Sequence, residues 1–156
     1  MTSPQDRLAA LGLELPEVAP PVAAYVPAKV HGDLVYTAGQ LPFVSGALPA
    51  TGKVGDGDGL VPAADAYEYA RRSALNAIAA AAAAVGGVDR LTGVLKVTGF
   101  VASVPEFTGQ PGVINGASEL LAEVFGDDGR HARSAVGVPV LPLDSPVEVE
   151  VVFTVA

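Results

Sequence analysis

Near the end of the chain Val147, Val149, Val151 and Phe153 alternate with Glu148 and Glu150. This is the period-two pattern of a strand with one apolar face and one polar face. The run from Val94 to Val104 is a second, longer strand, in which Gly99 marks a bulge or a point of close approach. LVYTA, from Leu34 to Ala38, is rich in strand formers and lies between His31-Gly32-Asp33 and Gly39-Gln40. A further strand is predicted from Ser134 to Val140.

Two segments follow the helical period instead. From Pro62 to Val85 alanine dominates, Pro62 suits a first turn, and Gly86-Gly87 supplies the stop. Tyr67, Ala74, Ile78, Ala81 and Val85 share one face there, and the small residues among them allow close packing on a sheet. Val113, Ile114, Ala117, Leu120, Leu121, Val124 and Phe125 recur at three and four residues, and Gly126 ends the run.

The predicted order is therefore β, α, β, α, β, β, an α+β fold. Two amphipathic helices, each leading into a strand, pack on one face of a single mixed sheet and leave the other bare. Valines that two helices cannot reach predict that other copies of the chain bury that face. Ahead of this domain, residues 1–20 form an accessory arm. Leu8, Leu11 and Leu13 make an amphipathic turn or two, and Pro16, Pro20 and Pro21 then enforce an extended path. The domain proper spans 21–156. Residues 43–61 are glycine-rich and aperiodic, which predicts a mobile loop.

Composition narrows the function. The 156 residues, half of them apolar, suit one domain with a real core. With no cysteine, disulfides, thiolate nucleophiles and cysteine-based zinc sites are excluded. A net charge of −8 with nine Lys and Arg argues against nucleic acid as a partner. No apolar run is long enough for a membrane span, and Met1 to Asp6 lacks the order of an export signal. A cytoplasmic protein is expected. His31 and His131 show no metal-ligand spacing and are taken as surface or loop residues, so no metal is expected.

Candidate chemistry lies in the segment from His131 to Phe153, where Arg133 opens one strand and two acids line a face of the next. A guanidinium offers a planar fork that grips a carboxylate bidentately, so Arg133 is a natural anchor for a small acid. The alternative is a rim salt bridge from Arg133 to Glu148 or Glu150.

The block RSAVGV at Arg133 to Val138, then Leu141-Pro142 and VEVE at Val147 to Glu150, resembles the signature end of the Rid family, the RidA/YjgF-type reactive intermediate deaminases. AGQLP at Ala38 to Pro42 is similar to that family's SGQ-x-P turn, VTGFV at Val97 to Val101 to its central strand, and Asn115 to its helix asparagine. The resemblance implies a chorismate-mutase-like fold and a homotrimer with a barrel-like centre and clefts between subunits. It also implies hydrolysis of 2-imino acids, or their enamine tautomers, to 2-oxo acids and ammonia without a cofactor. In that family's terms Arg133 holds the substrate carboxylate and Glu148 activates water. Tyr25, Ala38, Gly39, Asn115 and Ala135 line the substrate site, though Tyr25 is equally a core aromatic and Asn115 equally a helix cap.

Two positions depart from the pattern. Ala38 replaces a serine, and Ser118 stands where many members have a tyrosine. The missing serine keeps open a non-catalytic member that binds small carboxylates. The endoribonuclease label that some members carry is disfavoured by the acidic balance.

Overall fold

The computed structural model describes residues 2–18, 20 and 23–156. Pro21, part of the expected extended path, lies outside them. The arm begins with a short helix, α1 (Pro4–Ala10), closed by a capping box between Ser3 and Asp6. Leu8 is buried, and the Gln5 amide donates to Asp89 Oδ1 at 2.9 Å, so the arm is docked on the domain.

Five strands form one sheet in the order β1-β2-β5-β3-β4: β1 (Ala28–His31), β2 (Leu34–Thr37), β3 (Leu91–Ala102), β4 (Ala132–Val138) and β5 (Val147–Val155). Only β3 and β4 pair in parallel, so the sheet is mixed as expected. β1 is an addition to the predicted order. It pairs with β2 across Gly32 (φ +60°) and Asp33, so His31-Gly32-Asp33 closes a tight hairpin as well as bounding β2.

The helices α2 (Ala63–Val85) and α3 (Gln110–Phe125) cover one face. Ala66, Ala70, Ala74, Ala77, Ile78 and Ala81 of α2 meet Val35, Val149, Val151 and Phe153 in a common core with Val113, Ile114, Ala117, Leu120 and Leu121 of α3. Gly99 answers the open choice in β3. A Cβ there would sit 2.6 Å from three side-chain atoms of Ile114, so it marks close approach. The register shifts lie further back, near Gly93 and Lys96. α3 also presses on α2: a Cβ on Gly116 would lie 2.0 Å from the Tyr67 carbonyl oxygen. Tyr67 is a rim residue rather than a core one, donating its hydroxyl to Glu119, while Arg71 grips Glu123 with two nitrogens at 3.0 and 3.2 Å.

The opposite face carries no helix. Tyr36 and Val136 are 48% and 43% exposed there, with Phe100 and Val152 half-buried beside Glu148 and Glu150. The glycine-rich segment is more tightly held than its composition suggested. Val54 is fully buried and bridges Val61 and Ser103, and the Gly52 amide donates to the Asp144 carbonyl at 2.8 Å. Backbone pairing with ordered neighbours offsets an entropy cost that the segment could not meet alone. Among the described residues no helix is long and apolar enough to cross a membrane.

Candidate active site

Arg133 lies on β4, an edge strand, opposite Val97 of β3, and Ala135 lies opposite Gly99. Val97 and Gly99 face the helices, so Arg133 and Ala135 project to that side, under α3. The Arg133 Nη1 donates to Asn115 Oδ1 at 2.8 Å and to Ser118 Oγ at 3.2 Å. Asn115 and Ser118 are three residues apart and so adjacent on one helical face. Both hydrogens of Nη1 are thereby used. Nε and Nη2 have no partner among the described residues and stay available as a fork.

Asn115 caps nothing, because α3 starts at Gln110 and its cap position is Gly109. Arg133 makes no ion pair with Glu148 or Glu150; the one ion pair among the described residues is Arg71–Glu123. His131, expected as a surface or loop residue, belongs to this cluster. Its Nε2 lies 2.9 Å from Ser118 Oγ and its Nδ1 2.7 Å from the Gly129 carbonyl. No spacing in the sequence announces that contact, because Ser118 and His131 meet only when α3 folds over β4.

A second cluster forms on the other side of the sheet. Glu148 is paired with Phe100 and points to the bare face. Gly39 lies against it so closely that a Cβ at residue 39 would be 2.1 Å from Glu148 Oε1. The turn is fixed by Gln40, whose backbone exchanges hydrogen bonds with Val149 at 2.8 and 3.0 Å, and by the Ala38 amide, which donates to the Pro27 carbonyl. From α2, Asn76 Nδ2 donates to the Leu41 and Phe43 carbonyls and Arg72 Nε to that of Phe43. Arg72 thus buttresses the turn, and Arg71 serves the contact between helices. Burial, with the neighbouring Glu150 carboxylate adding to it, holds the Glu148 carboxyl above the ordinary carboxylate range.

The two clusters do not meet within one chain. β4 and β5 flank β3 on opposite sides, about 10 Å apart, and Arg133 and Glu148 project from opposite faces. Tyr25 joins neither cluster: it is 52% exposed, which also removes it from the core. Two cavities lie elsewhere among the described residues. One, of about 490 Å³, sits between the starts of α2 and α3 beside Tyr67 and Phe107, and the other, of about 280 Å³, beside Arg90 and Ala156. A single chain therefore presents two separate clusters.

Residues 5–155 match the family described as "YjgF/chorismate_mutase-like, putative endoribonuclease". The chain is 41% identical over 143 residues to protein TCP17 of Trypanosoma cruzi, covering 90% of this chain and 86% of that one. Its fold is similar to the crystal structure of Atu1372, a protein of unknown function from Agrobacterium tumefaciens, with a TM-score of 0.87, 44% identity, and coverage of 98% of this chain and 92% of that one. It is also similar to Escherichia coli TdcF with bound serine, with a TM-score of 0.62, 25% identity, and coverage of 89% and 94%.

Proposed function

The chain belongs to the YjgF/chorismate mutase-like family, and on that premise we propose that it hydrolyses small 2-imino acids, or their enamine tautomers, to 2-oxo acids and ammonia. The observation that carries this reading is the free fork of Arg133. With Nη1 committed to Asn115 and Ser118, the guanidinium is held so that Nε and Nη2 are presented together to a carboxylate. TdcF holds serine, a small amino acid with a carboxylate, which is the ligand class this fork suits.

We read the two separated clusters as half-sites. Arg133, Asn115 and Ala135 of one copy face Gly39, Ala38 and Glu148 of a neighbour, in clefts of a homotrimer whose bare sheet faces turn inward. Tyr25, exposed just ahead of β1, covers the cleft. An iminium carbon is already electrophilic, so positioning supplies much of the rate. Water attacks C2 while Glu148 takes its proton, giving a tetrahedral amino alcohol. Glu148 returns that proton to the nitrogen and accepts the hydroxyl proton as the carbonyl forms and the C–N bond breaks, so that ammonia leaves and the 2-oxo acid remains. A Glu148 carboxyl raised above its ordinary range is a stronger base for that transfer. Every step uses side chains and water alone.

Ala38 favours one alternative. It offers no hydroxyl to the substrate, as a non-catalytic binder of small carboxylates would not require one. The test supplies an amino-acid oxidase as the imine source and follows 2-oxo acid release. Acceleration by the wild type and its loss in Arg133→Ala, with the assembly retained, support the deaminase. Binding of 2-oxobutanoate without acceleration supports the binder. Retained activity in Arg133→Ala sinks the assignment of the anchor.

A further inference from the structure

We propose that Ser118 and His131 are positioning residues that hold the Arg133 guanidinium in its ligand-gripping orientation, an inference that rests on Arg133 being the carboxylate anchor. Four groups form a single directed chain. The Gly129 carbonyl can only accept, so the His131 Nδ1 at 2.7 Å carries a hydrogen. In the neutral ring Nε2 is then a bare acceptor, and the Ser118 hydroxyl at 2.9 Å donates to it. That leaves a lone pair of Ser118 Oγ for the Arg133 Nη1 at 3.2 Å. A hydroxyl that donates its own hydrogen is a better acceptor, so each link strengthens the next.

The far end of the chain is rigid. Gly129 closes a 3-10 turn, Gly126–Gly129, and is buried against α3: a Cβ there would stand 2.5 Å from the Leu121 carbonyl oxygen. The carbonyl that orients His131 is thus fixed by the packing of the turn. At the near end, Arg133 is a long side chain on an edge strand, where its rotamer freedom would otherwise be spent on each binding event. Asn115 restrains one hydrogen of Nη1 and Ser118 the other, which stops the plane from turning. Preorganisation of this kind lowers the cost of ligand binding and leaves the chemical step alone.

The test uses the assembled protein labelled with nitrogen-15. In the ligand-free wild type, the Arg133 Nη hydrogens should give separate signals because rotation of the guanidinium is hindered. Ser118→Ala and His131→Ala should merge them, while Ser118→Thr, which keeps the hydroxyl, should leave them separate. In turnover, Ser118→Ala should raise KM for the imino acid about tenfold, the effect of roughly one hydrogen bond to a charged group, with kcat changed less than about twofold. Separate signals retained in Ser118→Ala, or equal losses in Ser118→Ala and Ser118→Thr, would overturn the proposal. A wild type that neither binds 2-oxobutanoate nor hydrolyses imines sinks the deaminase instead, and the ligand-free Arg133 signals still decide the positioning role.

Discussion

Arg133 and Glu148 project from opposite faces of one sheet, on strands that flank β3 from its two sides. On the deaminase reading, a substrate touching both lies between two copies. Coexpression of Arg133→Ala with Glu148→Gln, each inactive alone, should therefore restore turnover. In a cyclic trimer every mixed assembly regains one intact cleft, which gives about a quarter of wild-type activity at equal expression. No recovery in verified mixed assemblies would place both residues in separate sites.

Glu148 gives a pH dependence whose sign is fixed. Its folded-state carboxyl lies above the ordinary range, so the folded protein keeps that proton to higher pH than the unfolded chain does. Stability from this group falls as pH rises from the ordinary glutamate value, about 4.3, through the raised one. Glu148→Gln removes the cost. Its Tm at neutral pH should exceed that of the wild type, and the gap should close below pH of about 4. In the wild type kcat/KM should fall on acidification through a pKa above the ordinary glutamate value. A Glu148→Gln variant less stable than the wild type at pH 7 would contradict the burial argument.

Gly39→Ala and Gly116→Ala make the same chemical change with different expected outcomes. At residue 39 the new methyl meets the end of a flexible carboxylate, so Glu148 swings aside, kcat falls and the Tm hardly moves. At residue 116 it meets the backbone of α2 at Tyr67, which cannot yield without separating the helices. A loss of about 1–3 kcal/mol or more is expected from such overpacking, seen as a lower denaturant midpoint. Equal stabilities for the two variants would refute the close contact at Gly116.

The pattern of Val147 to Phe153 and the helical spacing of Val113 to Phe125 were enough to place β5, α3 and the bare face, because periodicity reports which side of an element is buried. Hairpin partner β1 is not legible in the sequence, since Ala28 to His31 carries no alternation strong enough to mark a strand. Restraint of residues 43–61 was equally hidden, as it depends on Asn76, Arg72, Asp144 and Ser103, all distant in the chain.

By itself the sequence determined the α+β class, the residue types of the candidate site, and the sheet face that the two helices leave bare. Tertiary structure alone decided that the arginine and the glutamate stand in separate clusters on opposite faces of the sheet, and that His131 stands behind Ser118 rather than in solvent. The reason is physical. Alternation along a strand is local and survives in one dimension, whereas strand order and the seating of α3 over β4 join residues that no spacing relates.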